Sequence, residues 1–183
     1  MSNRAPLFHV ADYEAAPLIV ALLNSFVVDF AARSAVGGTD LSHFIIKQLP
    51  ILHPKRFQDE TGWGCTYAEF IVPRVLELTY ASLDLRPFAE HLGHDGPPFS
   101  WNEDRRILLK CEIDAALFHL YSMERDDVDY VMETFPIVKR DDERDYGEFR
   151  TKRVILEIYD EMASTKLIGG IYQARLTPPA DLL

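Results

Sequence analysis

The stretch from Pro17 to Ala35 constrains the fold more than any other part of the chain. It is apolar over most of its length, opens on a proline suited to a first helical position, and runs out at Gly37-Gly38. Its polar residues Ser25, Asp29 and Arg33 recur at four-residue spacing, so they form one wet stripe on a helix otherwise packed nearly all round. Such a helix has to be central to a core. Asn24 falls beside the stripe, where a buried amide would need partners, for instance in the backbone of a neighbouring loop.

A chain of 183 residues, 48% of them hydrophobic, can build that core unaided, since a protein of this size buries roughly 70% of the surface its unfolded form exposes. Cys65 and Cys111 are too few and too far apart for a disulfide framework or a Cys-rich zinc cluster. No apolar run approaches the roughly 20 residues needed to cross a bilayer. Met1 to Pro6 lacks the apolar centre of a signal peptide. A reducing, cytoplasmic setting and no membrane partner are the expectations.

Further helical patterns follow. A short apolar segment from Phe44 to Leu49 ends at Pro50, and Pro50 to Pro54 should be extended. Residues 57–66, with Gly62 and Gly64 around Trp63, read as a loop; helical periodicity resumes from Tyr67 to Ala81, with a kink or a fresh start at Pro73. Ser100 and Glu103 are spaced as a capping box opening a helix to about Tyr121, in which Asp114 falls on the face shared by Ile107, Cys111, Phe118 and Tyr121. A carboxylate there needs a partner, either Lys110 or backbone N–H groups of another element. A short helix ends before Pro136, Arg140 to Arg150 reads as a charged connection, and Glu148 to Met162 as an amphipathic helix. The predicted fold is mainly α, built around a buried central helix, with short strands considered near Leu7 to Val10 and Ile171 to Ala174. The Pro- and Gly-rich stretch 84–99 divides the chain into regions 1–96 and 97–183, and a loose tail is expected from Pro178-Pro179.

Charge narrows the partners. The net charge of −10 argues against bulk electrostatic coating of nucleic acid, yet residues 1–58 carry five basic and four acidic side chains. Any polyanion contact belongs in that first third. There the loop Gly37-Gly38-Thr39-Asp40, followed by His43 and Lys47, offers flexible backbone, small donors and a cation; the same glycines also read as a plain helix terminator, and Asp40 opposes an anion. Trp63, Tyr67 and Phe70 near Lys55 and Arg56 could stack on bases, or pack in a core. His91 and His94 lack a third and fourth metal ligand, so no metal site is expected. Neither G-x-S-x-G nor a phosphate-binding G-x-x-x-x-G-K-[ST] occurs. In Gly96-Pro97-Pro98-Phe99 the first residue lacks the side-chain acceptor by which amino methyltransferases hold a flipped base.

Several strings in order resemble a known family. Leu22-Leu23-Asn24-Ser25, Val36-Gly37-Gly38-Thr39-Asp40-Leu41 and Lys47-Gln48-Leu49-Pro50 resemble the end of the target-recognition region of adenine-N6 DNA methyltransferases of restriction–modification systems. Glu77-Leu78-Thr79-Tyr80, Glu112-Ile113-Asp114-Ala115, His119-Leu120-Tyr121 and Thr134-Phe135-Pro136-Ile137-Val138 are similar to the C-terminal extension of the large fused restriction and methylation proteins. The resemblance spans about residues 15–165. It implies a DNA-recognition and scaffold fragment acting with an upstream catalytic region or a partner chain. The S-adenosylmethionine-binding glycine motif and the Asn/Asp-Pro-Pro-Tyr/Phe tetrapeptide lie upstream in such proteins and are missing here, so the resemblance implies no catalytic residue, no cofactor in this chain, and weak DNA binding through Gly37, Gly38, Thr39, His43, Lys47 and Lys55. The competing expectation is a helical protein–protein interaction module without nucleic-acid binding.

Overall fold

The computed structural model describes Val10, residues 13–36 and residues 43–180. Within them lie nine helices: α1 (Ala16–Leu23), α2 (Phe26–Ala35), α3 (His43–Ile46), α4 (Tyr67–Thr79), α5 (Arg86–His91), α6 (Glu103–Leu120), α7 (Arg125–Glu133), α8 (Pro136–Tyr146) and α9 (Arg150–Ile168). Among the described residues no strand forms, and one isolated bridge joins Glu60 to Thr66. The fold is mainly α, as the sequence predicts. Ile171 to Ala174 runs as irregular backbone with a single cross-link, Tyr172 N–H to Trp63 O at 3.1 Å. Leu7 to His9 lie outside the described residues.

The buried central helix is α6, not the Pro17–Ala35 segment. Ten of its residues are buried, including Leu109, Cys111, Ile113 and Phe118 and also the carboxylates Glu112 and Asp114. It packs against α9 most extensively, and against α4 and α2. Those two acids make α6 look less apolar in sequence than it is in place.

Pro17 to Ala35 is two helices, turned by 66° at Asn24-Ser25. The cause is local. Ser25 is buried, its hydroxyl donates to Leu22 O at 2.7 Å and accepts from Val28 N–H at 3.3 Å, and so it caps α2 where a continuous helix would have left it on a wet stripe. Asp29 and Arg33 pair across one turn of α2 at 2.9 Å. Asn24 is exposed, contrary to the buried amide expected, and its Nδ2 donates to Val20 O at 2.8 Å.

Thr66 and Glu69 form the capping box of α4, which accommodates Pro73 inside it rather than starting there. Asn102, not Ser100, caps α6: its Oδ1 accepts from Arg105 N–H at 3.0 Å, while Glu103 accepts from Trp101 Nε1. The charged connection expected over Arg140 to Arg150 is mostly helix α8, begun by Pro136 and closed by Gly147 in the left-handed region. It buries no residue, so no apolar period betrays it; ion pairs such as Arg144–Asp141 at 3.2 Å lie along its surface. In α9, Ile155, Ile158 and Met162 are buried as its period requires. At the start of the tail expected from Pro178-Pro179, Ala180 N–H donates to Glu77 Oε2 at 2.9 Å, and residues 181–183 lie outside the described residues.

Candidate functional site

The candidate DNA face begins where α2 ends. Gly37, Gly38 and Thr39 lie outside the described residues, and His43 opens the short helix α3, which packs on α2. From His43 to Gln58 the chain has no Asp or Glu, while carrying Lys47, Lys55, Arg56 and two histidines. The whole stretch is held by its apolar members. Ile46, Leu49 and Phe57 are buried, and Tyr121 Oη donates to Pro50 O at 2.6 Å, fixing the extended run between α3 and the 3₁₀ turn Pro54–Gln58. His53 Nδ1 accepts from Lys55 N–H at 3.2 Å and caps that turn.

Lys47 and Lys55 are exposed, and neither is ion-paired among the described residues. Arg56 is exposed too, paired with Asp59 at 2.9 Å. A surface pair of this kind is worth little and opens readily to a stronger anion. The arrangement therefore presents two uncommitted ammonium groups and one weakly held guanidinium on a braced, acid-free ribbon. Such donors position a phosphate backbone without reading bases. Arg56 and His53 share this acid-free run, which is visible in the sequence as the absence of Asp and Glu from His43 to Gln58.

The proposed stacking strip does not form. Trp63, Tyr67 and Phe70 are 1%, 5% and 6% exposed. They make an interior aromatic group in which Trp63 meets Tyr67, Phe70 and His119 edge-on, and His119 stacks flat on Tyr159 at 4.0 Å. Burial holds the His119 imidazole below its ordinary pKa, against the hydrogen bond its Nε2 makes to Tyr159 O at 3.0 Å. His91 and His94 also have structural partners: His91 lies against Tyr13, and His94 stacks on Phe99 at 4.7 Å.

Asp114 finds its partner in another element. Its Oδ1 accepts from Phe26 N–H at 2.8 Å, at the first turn of α2, where unpaired N–H groups and the helix dipole favour a negative group. Burial nevertheless dominates and pushes the carboxyl up to about 7, with Phe26 N–H and the Lys110 ammonium pulling the other way.

Comparison with protein-family models, curated proteins and solved structures finds no match to this chain.

Proposed function

We propose that this chain is a non-catalytic DNA-recognition and scaffold element, similar to the C-terminal part of a restriction–modification adenine-N6 DNA methyltransferase and acting together with a catalytic region or partner chain. The observation that carries the reading is the braced run from His43 to Gln58, which exposes Lys47 and Lys55 and contains no acid in a chain of net charge −10. The ordered strings of the sequence resemblance supply the rest. The role is positional: a few phosphate contacts set register on the duplex, and the catalytic region supplies cofactor, base flipping and chemistry. With so few cations, binding by the chain alone is weak and salt-sensitive.

The test joins the chain to a methyltransferase region bearing the missing motifs and measures affinity for duplex DNA at low salt. Lys47→Glu with Lys55→Glu should weaken binding while leaving the unfolding midpoint unchanged, since both side chains are exposed. Unchanged affinity would reject this face. The second reading, a protein-interaction module, draws on Leu167, Ile168 and Ile171, which are 88%, 82% and 73% exposed around the end of α9.

A further inference from the structure

Phe44, on α3 at the head of the acid-free ribbon, is 75% exposed and does not pack on the core. Its neighbours fix the side on which it stands. Gln48 N–H donates to Ile45 O at 2.8 Å and Leu49 N–H to Ile46 O at 3.2 Å, so α3 runs out in tight three-residue turns. In such turns side chains three apart lie over one another. Ile46 and Leu49 are both buried and take the inner face, while Phe44 and Lys47 are both exposed and share the outer one. A ring and an ammonium group thus stand on the same face, about 5–6 Å apart at their Cβ atoms.

The other exposed aromatic side chains of the described residues are engaged. Trp101 lies under the Arg106 guanidinium at 3.7 Å, Tyr146 under Arg150 at 4.4 Å, Tyr13 against His91 at 5.3 Å and Tyr130 edge-on to Phe30 at 6.2 Å. Phe44 has no ring or cation partner among the described residues. Single exposed apolar residues are common on protein surfaces. What sets Phe44 apart is its place, one turn from Lys47 on the stretch that carries no acid.

We propose that Phe44 stacks on an unpaired base of a DNA strand while Lys47 meets the adjacent phosphate, so that the ribbon prefers single-stranded to duplex DNA. This rests on the reading of His43 to Gln58 as the DNA face. Two features select the occupant. The stretch holds cations and no carboxylate in a chain of net charge −10, which matches a polyanion. A flat ring beside a cation is the pair by which proteins hold single strands, since every unpaired base offers a π-face and the backbone follows the charge. A duplex presents the same phosphates, but its bases are covered by their neighbours and the ring gains nothing. In a methyltransferase assembly, unpaired bases arise where a target is turned out of the stack.

The full chain at low salt is titrated into a fluorescent single strand of about 12 nucleotides, a length such surfaces span, and into the duplex of the same sequence. The single strand should bind more tightly. Phe44→Ala should weaken single-strand binding by about tenfold and duplex binding by less than about twofold, without moving the unfolding midpoint. Phe44→Trp should keep the single-strand affinity, and the emission it adds should be quenched on binding. Lys47→Glu with Lys55→Glu should weaken both forms. If Phe44→Ala leaves single-strand affinity unchanged, or lowers both forms alike, while the lysine pair still matters, stacking is overturned and the ribbon reading stands. If the lysine pair changes neither affinity, the ribbon reading fails and this proposal with it. Self-association in sedimentation velocity that is lost on Phe44→Ala, at unchanged DNA affinity, would assign the ring to a contact between copies and equally overturn the proposal.

Discussion

Arg74 Nε lies 2.8 Å from Glu112 Oε2 with 4% and 0% of the two side chains exposed, so α4 and α6 are joined by a dry ion pair. The guanidinium also donates to Phe70 O and lies over the Phe70 ring at 3.4 Å, and Glu112 Oε1 accepts Arg175 N–H at 3.0 Å. Burial lowers the Arg74 pKa, with Glu112 opposing the shift. Both carboxylate oxygens of Glu112 and two of the three guanidinium nitrogens of Arg74 thus have partners, which favours the persistence of a buried ion pair.

Arg74→Met should destabilise the protein by about 3–5 kcal/mol, because it leaves Glu112 charged and short of a partner in the interior. Arg74→Met combined with Glu112→Gln should recover much of that loss, since the amide oxygen can still accept Arg175 N–H. Urea unfolding of the three proteins checks this. A double variant no more stable than Arg74→Met would mean that packing, rather than the unpaired charge, sets the cost.

Asp114 ionises near 3.8 when unfolded and near 7 when folded. A raised carboxyl favours the folded state while protonated, so its contribution is complete at low pH. As pH rises between those values the folded form holds the extra proton, and stability falls by up to about 1.4 kcal/mol per unit. Asp114→Asn keeps an acceptor for Phe26 N–H and removes the buried charge. It should therefore raise the unfolding temperature more at about pH 8 than at about pH 5. Equal effects at both would show that the carboxyl does not titrate in this window.

Ser25→Ala removes both the acceptor for Val28 N–H and the donor to Leu22 O. A loss of about 1–2 kcal/mol is expected, at the upper end of cap substitutions because the hydroxyl is buried. Calorimetry measures it. A loss below about 0.3 kcal/mol would mean that Asp114 alone suffices to begin α2.

In the joined methyltransferase assembly, Lys47→Gln and Lys55→Gln should each lower the slope of log affinity against log salt by about 1, with little change in preference between DNA sequences. Fluorescence anisotropy across a salt series reads this directly. A slope unchanged in both variants would remove the ribbon from the interface.

The helical character was legible because α4, α7 and α9 carry apolar residues at helical spacing and α1–α2 is nearly all apolar. What periodicity could not show was the break at Ser25. A hydroxyl that caps a new helix has the same spacing as one on a wet stripe, and Asp114, 88 residues away, also accepts from the first turn of α2. Helix α8 was missed for the opposite reason: with nothing buried, it has no apolar period to find. The capping residue of α6 was placed at Ser100 because spacing alone cannot distinguish a hydroxyl from the Asn102 amide two residues on. Of the candidate site, Lys47 and Lys55 were found from their charge and their place in the least acidic third.

Residues 172–180 belong to the interior's wiring. Besides Arg175 N–H on Glu112 and Ala180 N–H on Glu77, Thr177 O accepts from Arg105, which itself pairs with Glu77. The segment is thus the third member of two charge clusters whose other members sit on α4 and α6. Affinity tags, fusion joints or protease cuts within it act on the molecule's centre. Their mark would be a shift in the unfolding behaviour of helices far along the chain, rather than local fraying.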